Sequence, residues 1–157
     1  MSSTLPLEQV AKELATVLDE AFEHHHGIFL DKGTSLLPSI EKLDAAGASR
    51  AVSNNSGSIA AHVDHLRFHI EVLEASMRRE APEDVDWNEI WRTIHEVTPD
   101  QWGQISWRWR DATQRVLDKI ADPKRWGREV DLGGAVALVA HTAFHLGAIR
   151  QILKSGR

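Results

Sequence analysis

The residues best suited to chemistry are histidines, and two of them lie four apart in Ala140-His141-Thr142-Ala143-Phe144-His145-Leu146. On an α-helix that spacing projects both imidazoles from one face, about one turn apart, so both can reach a single ion. The stripe they occupy continues through Leu138, Ile149 and Ile152, which points the pair toward a core. A neutral imidazole carries one donor and one acceptor, and burying two of them without partners is costly. Coordination satisfies one nitrogen of each ring, and a neighbouring acceptor usually takes the other. The plainer alternative is two ordinary helix residues. What favours a metal is a second cluster, Ala61-His62-Val63-Asp64-His65-Leu66-Arg67-Phe68-His69, which on a facing helix supplies a third ligand.

Which residue of that cluster is the third ligand is left open by periodicity. At about 100° per residue, His62 and His69 flank the Ile59–Leu66–Ile70–Leu73 stripe and His65 lies further round, which favours His62. Ala61, Phe68 and Val72 broaden the apolar surface on the side of His65. Asp64, Glu71 and Glu74 share this stretch and are candidates for carrying protons or supporting ligands, but the expectation for each is a solvated helix face. His24, His25 and His26 are consecutive, fan out by about 100° each and cannot all face one ion; a solvent-exposed helix end suits them. His95 reads as a surface or structural residue. The six tryptophans fall at helical spacing and read as core and interface filler, with Trp107 and Trp109 on different faces and one of them available as an oligomer contact.

The elements that must position these groups are helical. Apolar residues at Leu7, Val10, Leu14, Val17, Leu18, Ala21 and Phe22 follow the three-and-four spacing of one buried stripe. That helix is expected to end near His24-His25-His26, with Gly27 as a left-handed cap. Ser35-Leu36-Leu37-Pro38 reads as a short helix start. The polar run Ser53-Asn54-Asn55-Ser56-Gly57-Ser58 is a loop that caps a second long helix over about Ser58 to Arg79. Asp86-Trp87-Asn88-Glu89 and Thr98-Pro99-Asp100-Gln101 both have capping-box spacing. The first predicts a short helix over Glu89 to Val97. The second predicts a long one with Trp102, Ile105, Trp109, Ala112, Val116 and Ile120 along one face, broken at Asp122-Pro123-Lys124. Asp131-Leu132-Gly133-Gly134 then leads into a last helix to about Leu153. No strand-like alternation of useful length occurs. Four long amphipathic helices with modest connections pack most simply as an all-α antiparallel four-helix bundle, with short extra helices in the connections. Residues 1–157 read as a single domain.

Composition bounds the function. Hydrophobic residues make up 42% and charged residues 26%, with a formal net charge of −5 and the two signs interleaved, ordinary values for a globular domain. There is no basic stripe for a phosphate backbone, so no nucleic-acid partner is expected. There is no cysteine, which excludes a disulfide frame, a thiolate metal site and a Cys nucleophile from the chain, and fits a cytoplasmic location. The N-terminus lacks a signal-peptide pattern, and no uninterrupted apolar run reaches membrane-spanning length, so no membrane partner is expected.

Ser58-Ile59-Ala60-Ala61-His62-Val63-Asp64-His65-Leu66, followed much later by His141-Thr142-Ala143-Phe144-His145-Leu146-Gly147-Ala148-Ile149-Arg150-Gln151, resembles the DinB-like superfamily, which includes the bacillithiol- and mycothiol-dependent transferases. The resemblance covers most of the chain in helix order, and its specific part is these two motifs. It implies a four-helix bundle and a three-histidine divalent metal centre, one ligand from the second long helix and two from the His-x-x-x-His of the last. The family's first ligand lies seven residues after the Ser of the Ser-Ile start, which here is His65. The implied ligand set is therefore His65, His141 and His145. Ala148 occupies the place where many members carry Gln. A homodimer is implied by the family and suits the surplus of tryptophan.

Three neutral imidazoles leave an ion's double charge uncompensated and coordination positions open. Such a centre acidifies a bound water or thiol and polarises a substrate oxygen. Three functions follow as expectations. One is an enzyme that transfers a low-molecular-weight thiol to an electrophilic small-molecule substrate, and the missing cysteine fits a thiol brought from outside. The second is a hydrolase using metal-bound hydroxide. The third is a non-enzymatic, metal-stabilised stress-response or binding module. Zinc and nickel are the expected metals.

Overall fold

The computed structural model describes residues 4–53, 56–80 and 83–155. The first three residues of the N-terminus and Asn54-Asn55 of the predicted polar loop lie outside them. Among the described residues the chain is all-α: seven α-helices and no strand.

Helix α1 (Leu7–Phe22) buries Ala11, Leu18, Ala21 and Phe22 along the stripe that spacing predicts. It stops at Phe22, near the three histidines as expected. The cause is Glu20, a buried carboxylate that accepts hydrogen bonds from the backbone N–H groups of His26, Ile28 and Phe29 at 2.8–3.2 Å. Those bonds turn the chain back on α1. Gly27 does take a left-handed φ of 74°, but within this turn and not as a helix cap. Burial works to raise the Glu20 pKa, yet the N–H donors of Phe29, Ile28, His26 and Gly27 together outweigh it and lower it to about 2.

Two short helices follow, α2 (Leu36–Ile40) and α3 (Ala45–Ala48). The first matches its predicted start at Ser35. The second was not legible: four residues carry no periodicity, and it is set by the Asp44 side chain accepting from Gly47 N–H at 2.7 Å. Helix α4 (Ile59–Met77) is capped by Ser58, whose hydroxyl accepts from Ala61 N–H. Helix α5 (Glu89–Thr93) is a turn shorter than predicted, and its capping box does not form. Asp86 instead accepts from Asn88 N–H and pairs with Arg92, so it serves the turn before the helix. Helix α6 (Pro99–Ala121) has the predicted capping box between Thr98 and Gln101, and buries Trp102, Trp109, Ala112, Val116 and Ile120. A single 3-10 turn at Pro123–Arg125 follows the break, and α7 (Leu132–Ser155) closes the chain.

The long helices pack on one another in four pairs: α4 and α1 each lie against both α6 and α7. Leu18 and Phe22 of α1, Leu66 and Ile70 of α4, Trp109 and Val116 of α6, and Leu138, Leu146 and Ile149 of α7 share one core. Phe22 meets Trp109 edge-on at 6.0 Å between ring centroids, the favoured aromatic geometry. Polar groups also tie elements together. Glu74, expected on a solvated face, is 5% exposed and pairs with Lys119 and Arg115 of α6. Asp64, expected likewise, is 7% exposed and holds Arg67 at 2.6 Å, which also reaches Glu71 at 2.5 Å. These acids are employed in ion pairs between and along helices.

Helix α7 departs from expectation in one respect: it is long and apolar enough, by length and composition, to cross a membrane. Histidine, threonine and glycine interrupt its apolar run without adding charge. A core helix meets the same test, and one side of α7 packs against α1 and α4.

Candidate metal centre

Helices α4 and α7 lie side by side, and each turns histidines toward the other. His62, His65 and His69, spaced three and four apart, share one side of α4. His141 and His145, one turn apart on α7, meet them. His65, His141 and His145 each offer one ring nitrogen, and these three atoms lie within 4.8 Å of one another. His65 and His145 are 6% and 4% exposed and His141 is half-buried.

His62 and His69 complete a row of five imidazoles. His62 Nδ1 lies 2.8 Å from His145 Nδ1, so one ring donates and the other accepts. His69 stacks on His141 with ring centroids 4.0 Å apart. That His62–His145 contact is the only side-chain hydrogen bond made by any of the five among the described residues, and none pairs with a carboxylate. Buried nitrogens are left without partners: His65 Nδ1, His69 Nδ1 and His141 Nε2. Orphaned buried polar atoms are uncommon and call for an explanation.

Electrostatics keeps these rings neutral. Burial lowers the pKa of His62 to about 4. Burial, then the nearby His141 and His62, lowers His65 to about 4, and burial with His141 and His65 does the same for His69. His141 is lowered by burial. His145 is lowered to about 2, by burial first and then by its four histidine neighbours. A neutral imidazole with a free lone pair is the form that binds a metal.

Tryptophans, read from spacing as filler, cap this cluster. The Trp91 ring of α5 lies 4.8 Å from that of His65 and stacks on His145 at 5.9 Å. Trp87, 41% exposed, meets His65 and His69 edge-on or tilted, at 6.4 and 5.9 Å. Gly57 makes room for Trp91: a Cβ there would fall 2.7 Å or less from two atoms of the indole. No periodicity in the sequence links a five-residue helix to histidines on two distant ones, so this contact was not legible.

The remaining histidines lie elsewhere. His24 and His26 both pair with Asp19, at 3.0 and 2.6 Å, on the exposed turn after α1. His95 is exposed and contacts the Arg92 carbonyl at 3.2 Å. Among the tryptophans of α6, Trp109 is in the core and Trp107 is 67% exposed.

Comparison with protein-family models, with curated proteins and with solved structures finds no match.

The donor set suits a metal ion. Three neutral nitrogens converge, two of the rings carry orphaned buried nitrogens, and no competing carboxylate is bonded to them. The group of His65, His141 and His145 can hold a metal ion, with His62 bonded to one ligand ring and His69 stacked on another.

Proposed function

We propose that this chain is a DinB-like, antiparallel four-helix-bundle protein that binds one divalent metal through His65, His141 and His145, and that it is an enzyme transferring a low-molecular-weight thiol to an electrophilic small molecule. The observation that carries the reading is the convergence of three neutral imidazole nitrogens within 4.8 Å between α4 and α7. The motifs that resemble the superfamily supply the same three residues, and the four pairwise packings of the long helices suit a bundle.

Three histidines without a fourth protein ligand match the composition of open, catalytic metal sites. A divalent ion held there supplies Lewis-acid chemistry, lowering the pKa of a thiol and polarising a substrate oxygen. The chain's own residues do the rest. His62 holds the His145 ring in place through Nδ1. Trp87 and Trp91 form an apolar cover that excludes water and offers flat surfaces to a substrate. The chain has no thiol, so the sulfur nucleophile comes from a cofactor. Zinc and nickel both suit three imidazoles.

The test has two stages. Elemental analysis of the purified protein should find one divalent ion per chain, falling away in His65→Ala, His141→Ala and His145→Ala; full metal content in all three variants would sink the assignment. The metal-loaded protein is then incubated with bacterial low-molecular-weight thiols and a generic electrophile. Protein-dependent loss of thiol supports the transferase. Turnover of ester or amide substrates without thiol would replace it with a hydrolase, and absence of both with a binding module.

A further inference from the structure

On the side of α4 away from the histidines lies a cavity that the metal site does not use. At about 100° per residue, Asp64, Arg67 and Glu71 point nearly opposite to His62, His65 and His69. The cavity measures about 200 Å³ and is lined from α4, from α5 and the turn after it, and from α6. Ile94, Val97 and Ile105 give it an apolar wall, and Asp64, Glu96 and Arg108 give it charge of both signs. Among the described residues, none of the five histidines lines it. Sites for drug-sized ligands run to roughly 300–1,000 Å³, so this one fits a smaller metabolite.

The charges in it have unused capacity. Asp64 is 7% exposed. Arg67 takes its Oδ1 at 2.6 Å, and Oδ2 has no hydrogen-bond partner among the described residues. A carboxylate oxygen so withdrawn from water is costly without a donor. Arg108 is its counterpart on α6. It shares one side of that helix with Arg115 and Lys119, seven and eleven residues on. Those two are paired, with Asp111 and Glu74. Arg108 makes no ion pair among the described residues, although Asp64 and Glu96 line the same cavity.

The complement of two unlike charges beside an apolar wall is a zwitterion with an apolar side chain. A simple anion would satisfy Arg108 but set like charge beside Asp64, and a simple amine would do the reverse. An ammonium brings three donors, and a carboxylate grips a guanidinium through two parallel bonds. We propose that this cavity binds a free α-amino acid with an apolar side chain. Its ammonium sits on Asp64 and Glu96, its carboxylate on Arg108, and its side chain against Ile94, Val97 and Ile105. The site is separate from the histidines yet shares α5 with them: Trp91 packs on His65 and His145, while Thr93 lines the cavity.

Isothermal titration calorimetry with L-leucine, L-isoleucine, L-valine and L-methionine tests this. Leucine should bind saturably, one molecule per chain. Isocaproate, which lacks the ammonium, and isoamylamine, which lacks the carboxylate, should each bind at least about tenfold more weakly. Arg108→Gln and Glu96→Gln change exposed side chains, so both should keep wild-type circular dichroism and bind leucine more weakly. Asp64→Asn leaves Arg67 its bond to Glu71 and should weaken binding as well. Backbone hydrogen exchange should slow with leucine in α5 and the first turns of α6. Amino acids also chelate divalent ions, so His145→Ala is the control and should bind leucine as wild type does. Loss of binding in that variant would move the ligand to the histidines and overturn the proposal. Absence of saturable heat with all four amino acids would overturn it too, as would equal binding of isocaproate or full binding by Arg108→Gln. Calorimetry on His145→Ala does not depend on the metal, so the cavity and the metal centre stand or fall separately.

Discussion

Two groups of histidines in this protein have opposite surroundings. The five between α4 and α7 are wholly or partly buried, bonded to no carboxylate, and have lowered pKa values. On the turn after α1, His24 and His26 are exposed and share Asp19, and the His24 pKa is raised by its hydrogen bond to that carboxylate. The same side chain is set up as a neutral lone-pair donor in one place and as a proton holder in the other. Richness in histidine is therefore no guide to metal binding by itself; the partners of each ring decide which chemistry it has available.

The largest expected effect comes from removing a ligand. His145→Ala takes away one of three converging nitrogens, and metal content should fall to background in elemental analysis. His24→Ala with His26→Ala should leave it at the wild-type level. A metal deficit in the second variant would break the comparison outright. Next is His62→Ala. His62 touches the His145 ring through Nδ1, and losing a contact that supports a metal ligand typically weakens metal binding by about 10–100-fold. Titration with a chromogenic chelator should show that loss with stoichiometry kept. Loss of the metal altogether would promote His62 to a ligand.

Acid separates the two regions by pH. For the α4–α7 cluster the folded pKa values lie below the unfolded value of about 6.5, so the unfolded chain binds more protons. Stability contributed by the neutral rings is complete above about pH 6.5 and is lost as pH falls toward 4, the folded value for His62, His65 and His69. Glu20 follows at lower pH: its contribution is complete above its ordinary value of 4.5 and is lost as pH falls toward 2. Urea unfolding of metal-free protein between about pH 8 and pH 3 should show the first loss before the second, and saturating metal should shift the first to lower pH.

How much of this was legible follows from which signals are local. Helix stripes and caps are properties of neighbouring residues, so α1, α4, α6 and α7 were readable, as was the Thr98–Gln101 capping box. The His141–His145 pair was readable for the same reason. Long-range partners were not. Whether Asp64 and Glu74 are solvated depends on Arg67 within their helix and on Lys119 across it, and amphipathic spacing gave the wrong expectation for both. Periodicity alone leaned to His62 as third ligand, and the packing of α4 on α7 gives His62 and His65 different neighbours: His65 lies among the converging nitrogens and His62 behind His145. The Asp86 box failed because a nearby Arg92 competes for the same carboxylate.

A smaller effect concerns the cover over the cluster. In Gly57→Ala the new methyl collides with the Trp91 indole, and overpacking of this kind costs about 1–3 kcal/mol. Trp91 should move, with a change in tryptophan fluorescence and in substrate access, while metal content stays intact. Loss of metal in this variant would show that the indole helps to hold His65 or His145.

The smallest effect is on the exposed turn, and it carries the opposite sign. His24 is stabilised in its charged form by Asp19. Its contribution is present in full below the unfolded value of about 6.5 and is lost as pH rises through the raised folded value. The pair is exposed, so His24→Asn should cost under about 1 kcal/mol even in acid. Denaturant unfolding of wild type and His24→Asn should differ slightly at about pH 5.5 and coincide at about pH 9. Both proteins carry the same α4–α7 histidines, whose acid loss cancels, so the difference between the two curves must shrink with rising pH as His24 loses its proton. A difference that grew instead would mean that His24 is buried neutral in solution, and the contrast between the two histidine groups would disappear.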